Sequence, residues 1–69
     1  MAHYMMDCHG MPDGKSDESS RIVAYNDSEA IREAKNAAIW MKPTSFKVRE
    51  VKHSGDRPVF DSRTEAPDA

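Results

Sequence analysis

Cysteine is almost missing from this chain: Cys8 is the only one in 69 residues. No internal disulfide can staple the fold, and a lone thiol suits a reducing cytoplasm better than a secreted scaffold. Long apolar runs are missing too, so no membrane-spanning helix is expected. The amino end has no basic segment leading into an apolar one, so no signal peptide is expected. Large side chains are scarce, with aromatics at 7%. No charge of one sign dominates, the net charge being −2. A chain this short buries little surface, and without a disulfide it needs a metal, a partner subunit or an economical fold.

What is present is pattern. The hydrophobic set is 38% and the charged set 32%, but the apolar residues recur at regular spacing, which excludes a disordered composition. Charge is unevenly placed. Asp7, Asp13, Asp17 and Glu18 against Lys15 leave residues 1–20 acidic. Lys42, Lys47, Arg49, Lys52, Arg57 and Arg63 outweigh Glu50, Asp56 and Asp61 in residues 42–63.

"AHYMMDCH" (2–9) alternates as a strand does, with Tyr4, Met6 and Cys8 on one face and His3, Met5, Asp7 and His9 on the other. "GMPDGKSDESS" is a loop, with glycine, proline and small polar residues. "RIVAY" (21–25) reads as a second strand, joined to the first as an antiparallel hairpin. "NDSEAIREAKNAAIWMK" is the clearest element. Asn26 can cap a helix and Glu29 can reach back to it as a capping box. Ala30, Ile31, Ala34, Ala37, Ala38 and Met41 make one stripe, and Pro43 ends the helix. "SFKVREVKH" is expected as a strand reaching His53, "SGDRP" as a turn and "VFDSR" as a last strand. The polar "TEAPDA" (64–69) is expected to fray.

The expected fold is α+β in the order β-β-α-β-β, one domain over 1–63, with an antiparallel sheet of two hairpins and one helix on one face. Even positions Tyr4, Met6, Cys8, Ile22, Ala24, Phe46, Val48 and Phe60 face the helix. His3, Met5, Val23, Tyr25, Lys47, Arg49, Val51 and Val59 fall on the open face, together with His53 at the strand end.

The element order, "NDSEAIREAK" and "FKVREVKHSGDRPVF" resemble a group of small alphaproteobacterial proteins with no assigned activity. The likeness spans Tyr4 to Phe60 and implies a compact bacterial cytoplasmic domain, with no catalytic residue to carry over. "SEAIREAKNAAIW" followed by "FKVREV" is also similar to dodecins, small flavin-binding proteins, and would set Trp40 near their flavin-stacking tryptophan. Pro43 and the gap from Trp40 to Phe46 depart from that spacing.

"MMDCHGM" gathers Met5, Met6, Cys8, His9 and Met11, with His3 just upstream. As metal ligands only His3, Cys8 and His9 stand close, and neighbouring strand residues point to opposite faces, so Cys8 and His9 cannot grip one ion without a bulge. No second cysteine supplies zinc spacing. Met1-Ala2-His3 could wrap Cu(II) or Ni(II) in a tetragonal nitrogen set, provided Met1 is retained. Asp7 would raise the Cys8 pKa, opposing a nucleophile. "GKS" at 14–16 ends like a phosphate loop but lacks the first glycine and precedes a strand. No enzyme and no cofactor are expected.

The expected role is a small interaction module, self-associating through the open sheet face. Its binding candidates are Met5, Val23, Tyr25, Trp40, Lys47, Arg49, Val51 and His53. Single-stranded nucleic-acid binding through the basic strand 47–53 is the first alternative, and flavin or metal binding the second. No membrane partner is expected.

Overall fold

A computed structural model describes residues 1–63 of the chain; the expected polar tail over 64–69 lies outside the described residues. Its elements run β1 (Ala2–His9), a short 3-10 turn (Pro12–Gly14), β2 (Glu18–Ala24), α1 (Asp27–Met41), β3 (Ser45–Glu50) and β4 (Arg57–Asp61). The four strands form one antiparallel sheet in the order β2-β1-β3-β4. Each hairpin pairs its own strands, and β1 and β3 join the two hairpins at the centre. The α+β reading and the helix on one face therefore hold.

The period-2 pattern accounts for the core. Tyr4, Met6 and Cys8 on β1 are buried, as are Ala24, Phe46 and Val48 on its neighbours. Ala30 and Ala34 of α1 are fully buried against them. Small alanine side chains let the helix backbone approach the sheet closely. Phe60 closes one side of this layer, its ring 5.4 Å from that of Phe46 and under the Lys35 ammonium at 5.2 Å.

The helix begins as its sequence indicates. Asn26 Oδ1 accepts from the Glu29 backbone N–H at 2.8 Å. The return arm of the capping box differs from expectation: Glu29 Oε1 accepts from the Tyr25 N–H at 3.3 Å, not from Asn26. Tyr25 lies one residue past Ala24, the end of β2, and by the alternation of that strand its amide points away from β1. Lys42 closes the helix in the left-handed conformation, at φ 55°, and donates its N–H to Ala38 O at 2.8 Å. Pro43 follows and cannot continue the helix.

Three boundaries move. β2 starts at Glu18, inside the segment expected as loop, because Ser19 and Ser20 pair with Asp7 and Met6. β3 stops at Glu50, leaving Val51 just beyond it and His53 in the turn that follows. β4 begins at Arg57 and includes Pro58, both expected as turn. A register shift between Val48 and Arg49 makes Arg49 face Pro58 and leaves Val59 as the extra residue. That bulge breaks simple parity, so Val59 packs partly against the core while also lining the open-face hollow beside Pro58.

Candidate interaction surface on the open face of the sheet

The registers sort the open face into rows. At one end Val23 on β2 pairs with His3 on β1, and the Val51 N–H donates to His3 O on the other side at 2.8 Å. The next row runs Arg21, Met5, Arg49 and Pro58. The third runs Ser19, Asp7, Lys47 and Asp61. One end of the face is thus apolar around His3, and the other is charged.

The charged end is internally neutralised. Asp7 stands on the central strand between both hairpins, where Arg49 Nε donates to its Oδ2 at 2.9 Å and the Ser19 hydroxyl to its Oδ1 at 2.7 Å. Arg49 also binds Asp56 through Nη1. The guanidinium holds the Asp7 carboxyl below its ordinary range, and its two acids push Arg49 further up. Lys47 meets Asp61 at 3.9 Å. Asp7, Lys47, Arg49, Asp56 and Asp61 line a shallow hollow of about 450 Å³ together with Pro58 and Val59.

A second ion cluster ties the helix to the sheet on the other face. Asp27, the first residue of α1, accepts from the Tyr4 hydroxyl at 2.9 Å and from Arg57 Nη2 at 2.8 Å. Arg57 also pairs with Glu50 at 3.0 Å. Arg57 chiefly, then Tyr4, lowers the Asp27 pKa. Burial chiefly, then the Asp27 contact, raises that of Tyr4. This network serves the fold, because it fastens the helix start across β1, β3 and β4.

The binding candidates do not all come together. Met5, Val23 and Val51 cluster with His3 at the apolar end, and Arg49 and Lys47 follow on the same face. Tyr25 lies past the end of β2 and is 72% exposed, and its amide serves the helix cap. His53 is carried off the sheet by the turn after β3. Trp40 sits on α1, 85% exposed, lining a hollow with Met11, Lys15 and Glu18. Asp7, the hub of the charged end, was missing from the sequence candidates. Its signal was available: an acid on the same parity as Lys47 and Arg49.

The amino-terminal ligand types are separated. Cys8 is buried on the helix side, and burial foremost, then Glu18, Asp7 and Asp17, raises its pKa. His9 lies on the opposite face, its Nδ1 3.1 Å from Asp17 Oδ2. Asp17 also accepts from the Gly10 N–H at 3.2 Å. No group of three His, Cys, Asp or Glu that could hold a metal exists among the described residues. Ala2 and His3 are paired in β1 with Ala24 and Val23. Their successive amides point in opposite directions, so they cannot close around one copper ion while the strand is paired.

No described helix is long and apolar enough to cross a membrane. Compared with protein-family models, curated proteins and solved structures, the chain matches none of them.

Proposed function

We propose that this chain is a small binding module that joins a second copy of itself through the open face of its sheet, with no catalytic step of its own. The observation that carries this is the apolar end of that face. Val23 and Val51 flank His3, Met5 stands in the next row, and no element of the described chain covers them. The helix contributes only alanines to the fully buried core. Covering the open face would add the apolar burial that an alanine stripe cannot. The face offers an interface an apolar end at Val23, His3 and Val51 and, beside it, charges already paired at Asp7, Arg49, Asp56, Lys47 and Asp61.

The same ion pairs weigh against nucleic acid. Within 47–53, Lys47, Arg49 and Lys52 each have a carboxylate partner, so little free positive charge is left to displace counterions from a phosphate backbone. Light scattering over a concentration series tests the proposal. Wild type is expected to gain mass above the monomer as concentration rises. Val51→Asp should raise the dissociation constant of the open-face contact about tenfold or more by placing a charge in the apolar end. Ile39→Asp on the exposed side of the helix should leave it unchanged. A strictly monomeric wild type at every concentration overturns the reading. A salt-dependent complex of that monomer with single-stranded RNA would put nucleic-acid binding in its place.

A further inference from the structure

The two edges of the sheet are not equivalent. β4 is five residues long, carries a bulge and holds Pro58. Pro58 pairs with Arg49, whose own backbone groups serve β1, so Pro58 faces outward where an incoming strand would need an N–H. That edge is guarded. β2 has seven residues, an unbroken register with β1 and no proline. The Val51 bond to His3 O and the Thr44 bond to His9 O show that odd residues of β1 serve the β3 side. Even residues of β1 therefore serve β2 through Ala24, Ile22, Ser20 and Glu18. By alternation, Ser19, Arg21 and Val23 turn their N–H and C=O groups outward, away from β1.

Two more unsatisfied features lie on the same side. Ile22 faces the helix layer but is only half-buried, at the rim of the core. Trp40 lies at the Glu18 end of this edge. Lys35 and Asp27 place one flank of α1 over β4 through Phe60 and Arg57. Trp40, five positions after Lys35, lies about 140° round the helix from it, and it shares a hollow with Glu18, the first residue of β2.

We propose that the outer edge of β2 pairs antiparallel with β2 of a second copy, about a two-fold axis normal to the sheet. This contact is distinct from the open-face contact proposed above. The axis makes one continuous eight-stranded sheet, since each copy contributes four strands, with both helices on the same side. Glu18 falls opposite Asn26 of the second copy, so each Trp40 is brought to the start of the other helix, and the strand bonds and the aromatic are satisfied by one symmetric event. The edge is self-complementary. With Ile22 opposite Ile22 of the second copy, Arg21 falls opposite Val23 and not opposite another Arg21, which avoids like charges across the pair. A free extended peptide would satisfy the backbone groups but would bring no helix to cover Trp40, so a second copy is the better occupant.

Amide hydrogen exchange on the intact chain reads this directly. The Ser19, Arg21 and Val23 amides should be protected at high concentration and lose protection on dilution, in step with the mass from light scattering. The emission of Trp40, the chain's one tryptophan, should shift to the blue with association. Arg21→Pro removes an outward N–H that β1 does not use. It should raise the dissociation constant about tenfold or more and leave the far-ultraviolet dichroism of the dilute protein unchanged. Val51→Asp should leave the concentration-dependent protection of the three amides in place. A dimer in which those amides stay unprotected overturns the edge contact while leaving the open-face contact standing. A strict monomer, or protection that does not change on dilution, also overturns it.

Discussion

Gly10 shows how a single residue can fix a junction. It sits at φ +66°, and a Cβ built there would lie 2.5 Å from Thr44 Oγ1 and 2.6 Å from Thr44 Cβ. Thr44 is held in place, since its N–H donates to His9 O at 2.9 Å and its hydroxyl to Gly10 O at 3.0 Å. The residue that ends β1 is thus pressed against the one that introduces β3. Gly10→Ala should lower unfolding stability by about 2 kcal/mol, combining left-handed strain with the clash. Chemical denaturation of Gly10→Ala alone and with Thr44→Ala checks this. The second change removes Oγ1 and the γ-methyl, while the Thr44 Cβ contact and the positive φ persist, so recovery should be partial. Complete recovery would show that the Thr44 γ atoms alone were the obstacle.

Among the elements, β1 was the most legible from sequence and β4 the least. The alternation of Tyr4, Met6 and Cys8 placed β1 over the residues it occupies, since each buried side chain needs the same face. Nothing comparable marks β4. Pro58 and the charge on Arg57 read as turn, so the strand expected over 59–63 is found two residues earlier, and the bulge at Val59 hides the alternation that would have fixed its start. The same parity rule carries β3 on through Val51 to His53, because alternation has no means of showing where pairing stops. The helix was legible in both its cap and its stripe, and its alanines carry a testable consequence. Ala34 is fully buried between α1 and the sheet, so Ala34→Leu must push the helix away or force poor rotamers. It should cost about 2 kcal/mol, whereas Ala→Leu at an exposed position would be nearly neutral by helix propensity. Thermal unfolding distinguishes the two. An Ala34→Leu variant as stable as wild type would mean that the helix–sheet layer is looser than its burial indicates.

On the scale of the whole molecule, long-range ion pairs join what alternation could not. Parity put Asp7 and Arg49 on one face, but only the β1–β3 register sets them side by side, and no spacing in the sequence foretold Asp27 reaching Arg57 across the sheet. These contacts give the fold a definite acid response. Asp7 is held below its ordinary pKa by Arg49, and Asp27 by Arg57 and Tyr4. In the unfolded chain both return to about 3.9. Between the two values the unfolded state binds more protons than the native state, so their contribution is complete above the unfolded pKa and is lost as pH falls through the folded one. Tyr4 and Cys8, whose pKa values are raised, contribute in the opposite sense and lose their contribution only in alkali. Melting temperature should therefore be nearly level from about pH 7 to 5 and fall steeply below about pH 4. Asp7→Asn should lose about 1 kcal/mol at neutral pH, a modest figure because the pair is partly exposed. It should also show a shallower acid limb, because one of the protons taken up on unfolding is gone. Parallel melting curves of the two proteins across that pH range decide it: an identical acid slope would mean that the Asp7–Arg49 pair, though it spans both hairpins, does not couple their stability to pH.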